Sequence, residues 1–280
     1  MPQYGSPVGT IVSSGVVALV TLLPEDQLMT WGWRIPFLLS FVFLAVALYM
    51  RLKVEESPVF TDVVQLQTAK TAKAALPLIE VFRHAGGRVL IVIATVLFAS
   101  GGFFLMTTYA VRFGTGELGM EAWKLLIATM LGAVLEAIGI YIGAKLGDRW
   151  GAWKTVVFGG IVAAVLVVPI ALMLGSGVEV LVIAAVAIGI GMLGLPYGPL
   201  GTMLSELFSA RYRYSGVAVS YNIGGLIGGF VPSIAAALAL AVGSAVVVIP
   251  VLLGIIMALC VLGGLIAGRV LSREEETIAA

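Results

Sequence analysis

Residues 89–111 read VLIVIATVLFASGGFFLMTTYAV, and none of these side chains carries a charge. A membrane-spanning helix needs about 20 apolar residues, so this run is long enough to cross a bilayer. Helix is the expected conformation, because the backbone groups of a segment in lipid must hydrogen-bond within that segment. A barrel strand would alternate apolar and polar residues, and this run does not. The stretch therefore predicts a transmembrane α-helix.

The same pattern recurs along the chain and predicts an all-α integral membrane protein with eight transmembrane helices. Hydrophobic residues make up 60% of the chain and charged residues only 11%, whereas a soluble protein is about 25% charged. This composition excludes a soluble enzyme, a disordered tail and a collagen-like fibre. The predicted spans are Pro7–Leu23, Ile35–Met50, Val89–Val111, Leu125–Lys145, Thr155–Leu174, Val180–Leu200, Gly216–Ala239 and Ala245–Gly268.

Charge and metal-ligand counts exclude further classes of protein. The net charge is +1, and a nucleic-acid-binding module needs a basic surface, so we expect no nucleic-acid partner. The single cysteine, Cys260, cannot form an intrachain disulfide, and the single histidine, His84, cannot supply a haem pair or a His-rich metal site. We therefore expect no cofactor and no metal.

A long polar connection, 51–88, separates two spans from the six that follow. Thirteen of the sixteen Lys and Arg residues are predicted on the same side of the membrane as this connection. Such an excess marks the cytoplasmic side. We therefore expect a multi-pass protein of the cell inner membrane with both termini in the cytoplasm. The predicted parts are helices in 1–50, a cytoplasmic linker in 51–88, six helices in 89–268 and a cytoplasmic tail in 269–280.

Glu136 is the most informative single residue, because it lies near the middle of the fourth predicted span. A carboxylate at that depth costs about 2.5–3.5 kcal/mol and rarely faces lipid. Helical spacing places Gly132, Gly139 and Gly143 on the same face, where small residues let a neighbouring helix approach closely. Glu136 is therefore either a proton- or cation-binding group of a transport cycle or a neutral structural carboxyl bonded to a neighbour.

Asp148 and Arg149 lie in the short connection between the fourth and fifth predicted spans. Gly147 and Gly151 flank them and are expected to allow unusual backbone angles. The connection is either a short polar loop with helix-capping residues or a charged gate that fastens one helix to its neighbours.

A second set of charges is predicted at the same cytoplasmic side. Glu206 lies near the end of the sixth span, and Arg211 and Arg213 follow within two turns. These charges indicate a cluster that locks the helix ends together, with a role in substrate binding as the alternative.

Polar and kinked positions mark a candidate cavity. Pro196 and Pro199 interrupt the sixth span beside Tyr197, and broken helices near the midplane often hold the substrate of a transporter, although a packing kink is the alternative. Tyr221 and Asn222 in the seventh span, and Tyr109 near Arg112 in the third, either line the cavity or serve as packing and interface anchors. All seven positions are read from the sequence alone.

Two stretches of sequence, separated by ten residues, resemble a known family. WGWRIPFLLS at 31–40, followed by RLKVEESPVF at 51–60, resembles the end of the first half of the metabolite:proton symporters, a branch of the major facilitator superfamily. The 197–216 region resembles the tenth-to-eleventh helix region of that branch. LGDRWG at 146–151 resembles the superfamily's second cytoplasmic gating motif, but Ala144 replaces its first glycine, and Ala152 and Trp153 replace its basic pair.

The resemblance implies a twelve-helix transporter of which this chain holds helices five to twelve, so we expect an N-terminally truncated chain that does not transport alone. It implies alternating access and proton-coupled symport of a small organic acid or zwitterionic metabolite, with membrane lipid as a further partner. The implied roles are proton coupling for Glu136, cavity lining for Tyr109, Tyr197, Tyr221 and Asn222, and a cytoplasmic gate formed by Asp148, Arg149, Gly151, Glu206 and Arg213.

Two other functions were weighed against transport. An integral membrane enzyme acting on a lipid-linked substrate usually carries interfacial clusters of His, Asp or Arg, and the chain has one histidine and no DxxD pair. A passive channel would need a ring of like charges or a filter-like loop, and neither is visible. We therefore expect a transporter and no enzyme activity. The identity of the metabolite and the oligomeric state do not follow from the sequence.

Overall fold

A computed structural model describes residues 2–53, 77–209 and 213–279. Within these ranges all regular structure is helical, which confirms the predicted all-α class. Two π-helical turns, Phe98–Gly102 and Leu105–Tyr109, lie in the third predicted span. The α-helices are α1 Gly5–Val20, α2 Glu25–Thr30, α3 Ile35–Lys53, α4 Pro77–Leu97, α5 Ala110–Gly116, α6 Ala122–Trp150, α7 Ala152–Gly175, α8 Glu179–Gly191, α9 Gly194–Glu206, α10 Arg213–Val242 and α11 Ala245–Ala279.

Seven of the described segments are long and apolar enough to cross a membrane. They are Gly32–Leu52, Ala85–Gly116, Ala122–Trp150, Ala152–Gly175, Glu179–Glu206, Arg213–Val242 and Ala245–Arg273. The remaining predicted span corresponds to α1, an apolar helix of 16 residues. At 1.5 Å per residue it is about 24 Å long, which is shorter than the roughly 30 Å hydrocarbon core. The predicted count of eight spans is therefore not confirmed.

Helical structure continues into the predicted linker and through the described part of the predicted tail. α3 ends at Lys53, and α4 begins at Pro77 with a kink at Ala85, where φ is −134° and ψ is 20°. α11 runs through Arg269 and ends at Ala279. The middle of the linker, 54–76, lies outside the described residues.

Two sets of contacts build the bundle: one is centred on α6, and the other includes the packing of α7 on α11. α6 packs against α1, α7, α8 and α9, whereas α4 packs against α10 and α11. Small residues permit these approaches: a Cβ at Gly264 would lie 2.8 Å from Val157, and one at Gly268 would lie 2.5 Å from Trp153. Close packing of α11 on α7 therefore depends on glycine, as expected for helices in lipid.

The sixth predicted span is interrupted, since α8 ends at Gly191 and α9 begins at Gly194, but the interruption precedes Pro196 and Pro199, and Pro199 lies inside α9. The two prolines of α9 face glycines on neighbouring helices. A Cβ at Gly159 would lie 2.7 Å from the nitrogen of Pro196, and one at Gly147 would lie 2.8 Å from Cβ of Pro199. The prolines therefore pack closely against α7 and α6.

The connection between the fourth and fifth spans is much shorter than predicted. α6 continues through Trp150 and α7 begins at Ala152, so Gly151 alone connects the two helices. Asp148 is helical, no side chain caps α7, and Gly147 has no unusual backbone angle. Gly151 has a φ of 91°. The helix persists because nothing in 147–150 breaks it, and Gly147 is instead required where Pro199 presses on α6.

Replacing Gly151 with Ala is expected to destabilise the chain, because φ near 91° is strained for any residue with a Cβ. The expected cost is about 1–2 kcal/mol. Thermal unfolding in detergent measures it, and Gly254→Ala is the matched control, since Gly254 lies inside α11 with open space around it. Equal unfolding temperatures for the two variants would contradict the assigned strain.

Candidate functional site

Glu136 is buried in the middle of α6, with only 3% of its surface exposed. Its Oε2 atom has no hydrogen-bond partner among the described residues. A buried oxygen without a partner is costly, and a proton, a cation or a water molecule would satisfy it. The site is therefore suited to binding one of these species reversibly.

The glycines that share the face of Glu136 bring neighbouring backbones into contact with it, as predicted. A Cβ at Gly132 would lie 2.8 Å from Cβ of Ile190 in α8, and one at Gly139 would lie 3.0 Å from the nitrogen of Leu195 in α9. A Cβ at Gly194 would overlap the carbonyl oxygen of Glu136. α8 and α9 thus enclose the carboxyl group because no side chain separates the helices.

Two of the predicted cavity residues meet beside this carboxyl group. The Tyr197 hydroxyl of α9 lies 3.4 Å from the Tyr221 hydroxyl of α10, and either can donate the hydrogen bond. Phe98 contacts the Tyr197 ring edge to face, at 6.5 Å between centroids. Tyr197 follows Gly194 by about one helical turn in α9, and the Cβ position of Gly194 overlaps the carbonyl oxygen of Glu136, so Tyr197 lies near Glu136 along the contact of α9 with α6. Glu136, Tyr197 and Tyr221 therefore form one polar cluster, here called the carboxyl–tyrosine cluster.

The other two predicted cavity residues are placed differently. Asn222 is exposed on α10, and its Nδ2 donates to the carbonyl oxygen of Ala218, 2.7 Å away in its own helix. Tyr109 is buried and lines a cavity of about 540 Å³ with Arg112 and Glu117, between α5 and the end of α10. None of the carboxyl–tyrosine cluster lines that cavity, so the structure does not bring Tyr109 to the cluster.

The π-helical turn Phe98–Gly102, which was not predicted, carries Phe98 to Tyr197. Ser100 in this turn donates to the carbonyl oxygen of Gly224, 3.2 Å away in α10. A Cβ at Gly228 would lie 2.6 Å from the backbone nitrogen of Gly101. π-helical turns are frequent at functional sites. The available signal was the run of small residues at 99–102, ASGG, within an otherwise bulky span.

At the Gly151 end of the bundle, Asp148 and Arg149 lie exposed in the last turn of α6. Neither forms an ion pair among those found between described residues. Gly151 ends the helix directly after them. The structure therefore places these three predicted gate residues at one helix end, with both charges accessible.

The other two predicted gate residues lie at the end of α9. Glu206 is the exposed last residue of that helix. Arg213 donates through Nε to the carbonyl oxygen of Phe208 at 3.2 Å, and Arg88 donates through Nη1 to that of Leu207 at 2.6 Å. The two guanidinium groups thus satisfy carbonyl groups at the negative end of the helix dipole.

At the opposite end of the bundle an ion pair joins α6 to α8. Nζ of Lys124 lies 2.9 Å from Oε1 of Glu179 and 3.6 Å from Oε1 of Glu121. Sequence analysis did not pair these residues, because Lys124 and Glu179 are far apart in the chain. Among the described residues, no group of three or more His, Cys, Asp or Glu side chains is arranged to hold a metal ion.

Comparison with known proteins assigns the family. A family model described as the Major Facilitator Superfamily matches residues 4–232, which is most of the chain. The chain belongs to the major facilitator superfamily. Proteins of this superfamily are membrane transporters and not enzymes, and its multi-pass helical architecture agrees with the seven spans described above.

Individual relatives within the superfamily are metabolite carriers by name. The Inner membrane metabolite transport protein YhjE of Escherichia coli (strain K12) is 34% identical over 239 residues, covering 81% of this chain and 52% of that protein. The Shikimate transporter of Escherichia coli (strain K12) is 32% identical over 227 residues, covering 80% and 51%.

A third relative is named for zwitterionic compounds. The Glycine betaine/proline/ectoine/pipecolic acid transporter OusA of Dickeya dadantii (strain 3937) is 28% identical over 236 residues, covering 80% of this chain and 46% of that protein. The chain thus spans about half the length of the curated relatives it matches.

Proposed function

We propose that the chain is part of a secondary active transporter that moves a small organic acid or zwitterionic metabolite together with a proton across the cytoplasmic membrane. The observation that carries the proposal is the buried, unpartnered Oε2 of Glu136 beside the Tyr197–Tyr221 pair. Intramembrane carboxyl groups commonly mark proton or substrate pathways. The superfamily supports the alternating-access mechanism, in which two halves move around a site near the midplane.

The names of the relatives support the proposed substrate class. Shikimate is an organic acid, and betaine and proline are zwitterions. All of these compounds carry a carboxylate, which accepts hydrogen bonds from hydroxyl donors such as Tyr197 and Tyr221. A carboxylate near Glu136 is repelled unless Glu136 holds a proton, so proton binding and substrate binding favour each other. Tyr109 contributes to the pathway from its separate cavity, and Asn222 contributes from the position next to Tyr221 on α10.

Asp148, Arg149 and Gly151, with Glu206 and Arg213, form the proposed cytoplasmic gate. Asp148 and Arg149 are exposed at the end of α6, where they can pair with other charges in one state of the cycle. The excess of Lys and Arg at this end supports its cytoplasmic position and that of both termini. The Lys124–Glu179 pair joins α6 to α8 at the opposite end, which the proposal places outside the cell membrane.

The proposed function is tested by uptake into proteoliposomes that hold the chain expressed from its complete reading frame. Shikimate and glycine betaine are the first substrates to try, each with and without an inward proton gradient. We expect gradient-dependent accumulation of at least one compound in such a panel of acids and zwitterions. Accumulation that a protonophore leaves unchanged would contradict proton coupling.

Replacing Tyr221 with Phe is expected to weaken substrate binding, because it removes a hydroxyl of the carboxyl–tyrosine cluster. One hydrogen bond contributes about 0.5–1.5 kcal/mol, so KM for uptake should rise about fivefold. Tyr214→Phe is the matched control on the same helix, since Tyr214 is 88% exposed. If both variants have the same KM, Tyr221 does not take part in substrate binding.

A further inference from the structure

An apolar groove runs along the outer surface of the bundle between α7 and α11, away from the carboxyl–tyrosine cluster. Its volume is about 910 Å³. The α7 wall carries Ile161, Val165 and Val168, which are all exposed, and Ala258 and Leu262 are exposed on the α11 wall. An exposed groove of this composition on a membrane-spanning bundle faces the acyl chains of the bilayer.

A basic pocket of about 390 Å³ lies between the same two helices at the Gly151 end of the bundle. Trp153 of α7 lines it together with Arg269, Ser272 and Arg273 of α11. Nζ of the neighbouring Lys154 lies 5.6 Å from the centroid of the Trp153 ring, in a cation–π contact. Two exposed arginines therefore line the pocket and the exposed Lys154 stands beside it, and Trp commonly sits at the depth of lipid headgroups.

The groove and the pocket lie one after the other along α11 and are together called the track. Ala258, Leu262, Leu265, Arg269 and Ser272 recur at spacings of three and four, so they lie along one face of α11. From Ala258 to Ser272 the helix rises about 21 Å at 1.5 Å per residue. This length matches one leaflet, since half of the roughly 30 Å hydrocarbon core is about 15 Å and the headgroup lies beyond it.

We propose that this track binds an anionic phospholipid, with an acyl chain in the groove and the phosphate against Arg269, Ser272 and Lys154. Charge complementarity selects the headgroup, because basic pockets between transmembrane helices bind anionic lipids. A choline or ethanolamine headgroup would place an additional cation beside Arg269 and Lys154. The apolar walls of the groove favour a lipid over a soluble phosphate, which would leave them unused.

Native mass spectrometry of the purified chain in detergent tests this proposal. The probes are dioleoyl phosphatidylglycerol and dioleoyl phosphatidylcholine, which differ in headgroup only. We expect phosphatidylglycerol to bind at least fivefold more tightly. Arg269→Gln should weaken phosphatidylglycerol about fivefold, since a basic residue near anionic lipid contributes about 1 kcal/mol. Arg269→Lys should keep the preference.

Two matched controls separate the site from general effects of charge and surface. Lys145→Gln removes an exposed cation that contacts Tyr141 at 5.9 Å, outside the track, and should leave binding unchanged. Ala258→Trp fills the groove and should weaken both lipids, whereas Leu172→Trp, at an exposed position outside the groove, should weaken neither.

Three results would overturn the proposal. Equal affinity for the two lipids would show that the track does not select the headgroup. Equal effects of Arg269→Gln and Lys145→Gln would show that the pocket does not cause the headgroup selectivity. Displacement of phosphatidylglycerol by inorganic phosphate, with no effect of Ala258→Trp, would identify a site for soluble anions instead. Because Arg269→Lys and Lys145→Gln are measured alongside, a folding defect in Arg269→Gln is distinguishable from lost recognition.

Discussion

Replacing Glu136 with Gln is expected to abolish proton-driven accumulation of substrate while substrate exchange continues. The amide has the shape of the protonated carboxyl group but cannot take up or release a proton, so α6 keeps its packing and loses the proton site. We expect the gradient-driven accumulation ratio to fall to about 1, a loss of tenfold or more if coupling passes through this group. Accumulation and counterflow in proteoliposomes measure the two activities separately.

Glu25→Gln is the matched control for this substitution, because Glu25 is an exposed carboxylate at the start of α2. It should leave both activities unchanged. Full pH-dependent accumulation by Glu136→Gln would contradict the assignment of the proton site. Loss of accumulation and counterflow together, with normal folding, would show that Glu136 acts on substrate binding or conformational change and not on coupling alone.

Replacing Gly194 with Ala is expected to destabilise the folded bundle. The new Cβ would overlap the carbonyl oxygen of Glu136, and it would lie 2.9 Å from the carbonyl carbon of the same residue. Because backbone atoms cannot rotate away as a side chain can, α9 must move off α6. Overpacking of this kind costs about 1–3 kcal/mol, which lowers the unfolding temperature by about 2–12 °C.

Thermal unfolding in detergent measures this loss, and Gly225→Ala is the matched control. Gly225 lies inside α10, and a Cβ added there would have no atom within 4 Å, so its substitution should change little. Gly194→Ala should also reduce proton-driven uptake, since it displaces the wall that encloses Glu136. A Gly194→Ala variant as stable as Gly225→Ala would show that α6 and α9 are not in backbone contact.

The spans and the buried carboxyl group were predictable from the sequence because both follow from local pattern. Uncharged runs such as 89–111 are long enough to determine a helix in lipid without reference to any partner. Glu136 stood out because a carboxyl group in such a run must find a polar environment. Its neighbours Gly132 and Gly139 share its face by helical spacing, which is also local.

The contact between Tyr197 and Tyr221 could not be predicted from the sequence. It depends on how α9 and α10 are rotated against each other. The π-helical turn Phe98–Gly102 was missed for a related reason, because its hydrogen bond to α10, from Ser100 to the carbonyl oxygen of Gly224, joins residues far apart in the chain. Tyr109, near Arg112, was expected to line the same cavity as Tyr197 and Tyr221. The structure places it in a separate cavity with Arg112, nearer the end of the span.

The error at Gly151 shows the limit of interpreting polar residues as loops. Asp148 and Arg149 are polar and lie between two spans, yet neither breaks a helix, and α6 continues through both. Only Gly151 has the positive φ that ends it. The exact helix end thus depends on a single residue, whereas the existence of the two spans depends on the long apolar runs on either side of it.

The most direct test of proton coupling through Glu136 is the movement of protons itself. Substrate is added to lightly buffered proteoliposomes that hold the chain expressed from its complete reading frame, and external pH is recorded without an imposed gradient. We predict alkalinisation outside as protons enter with the substrate, and none with Glu136→Gln. Equal alkalinisation by both proteins, or uptake by the unsubstituted protein with no pH change, would contradict the proposed mechanism.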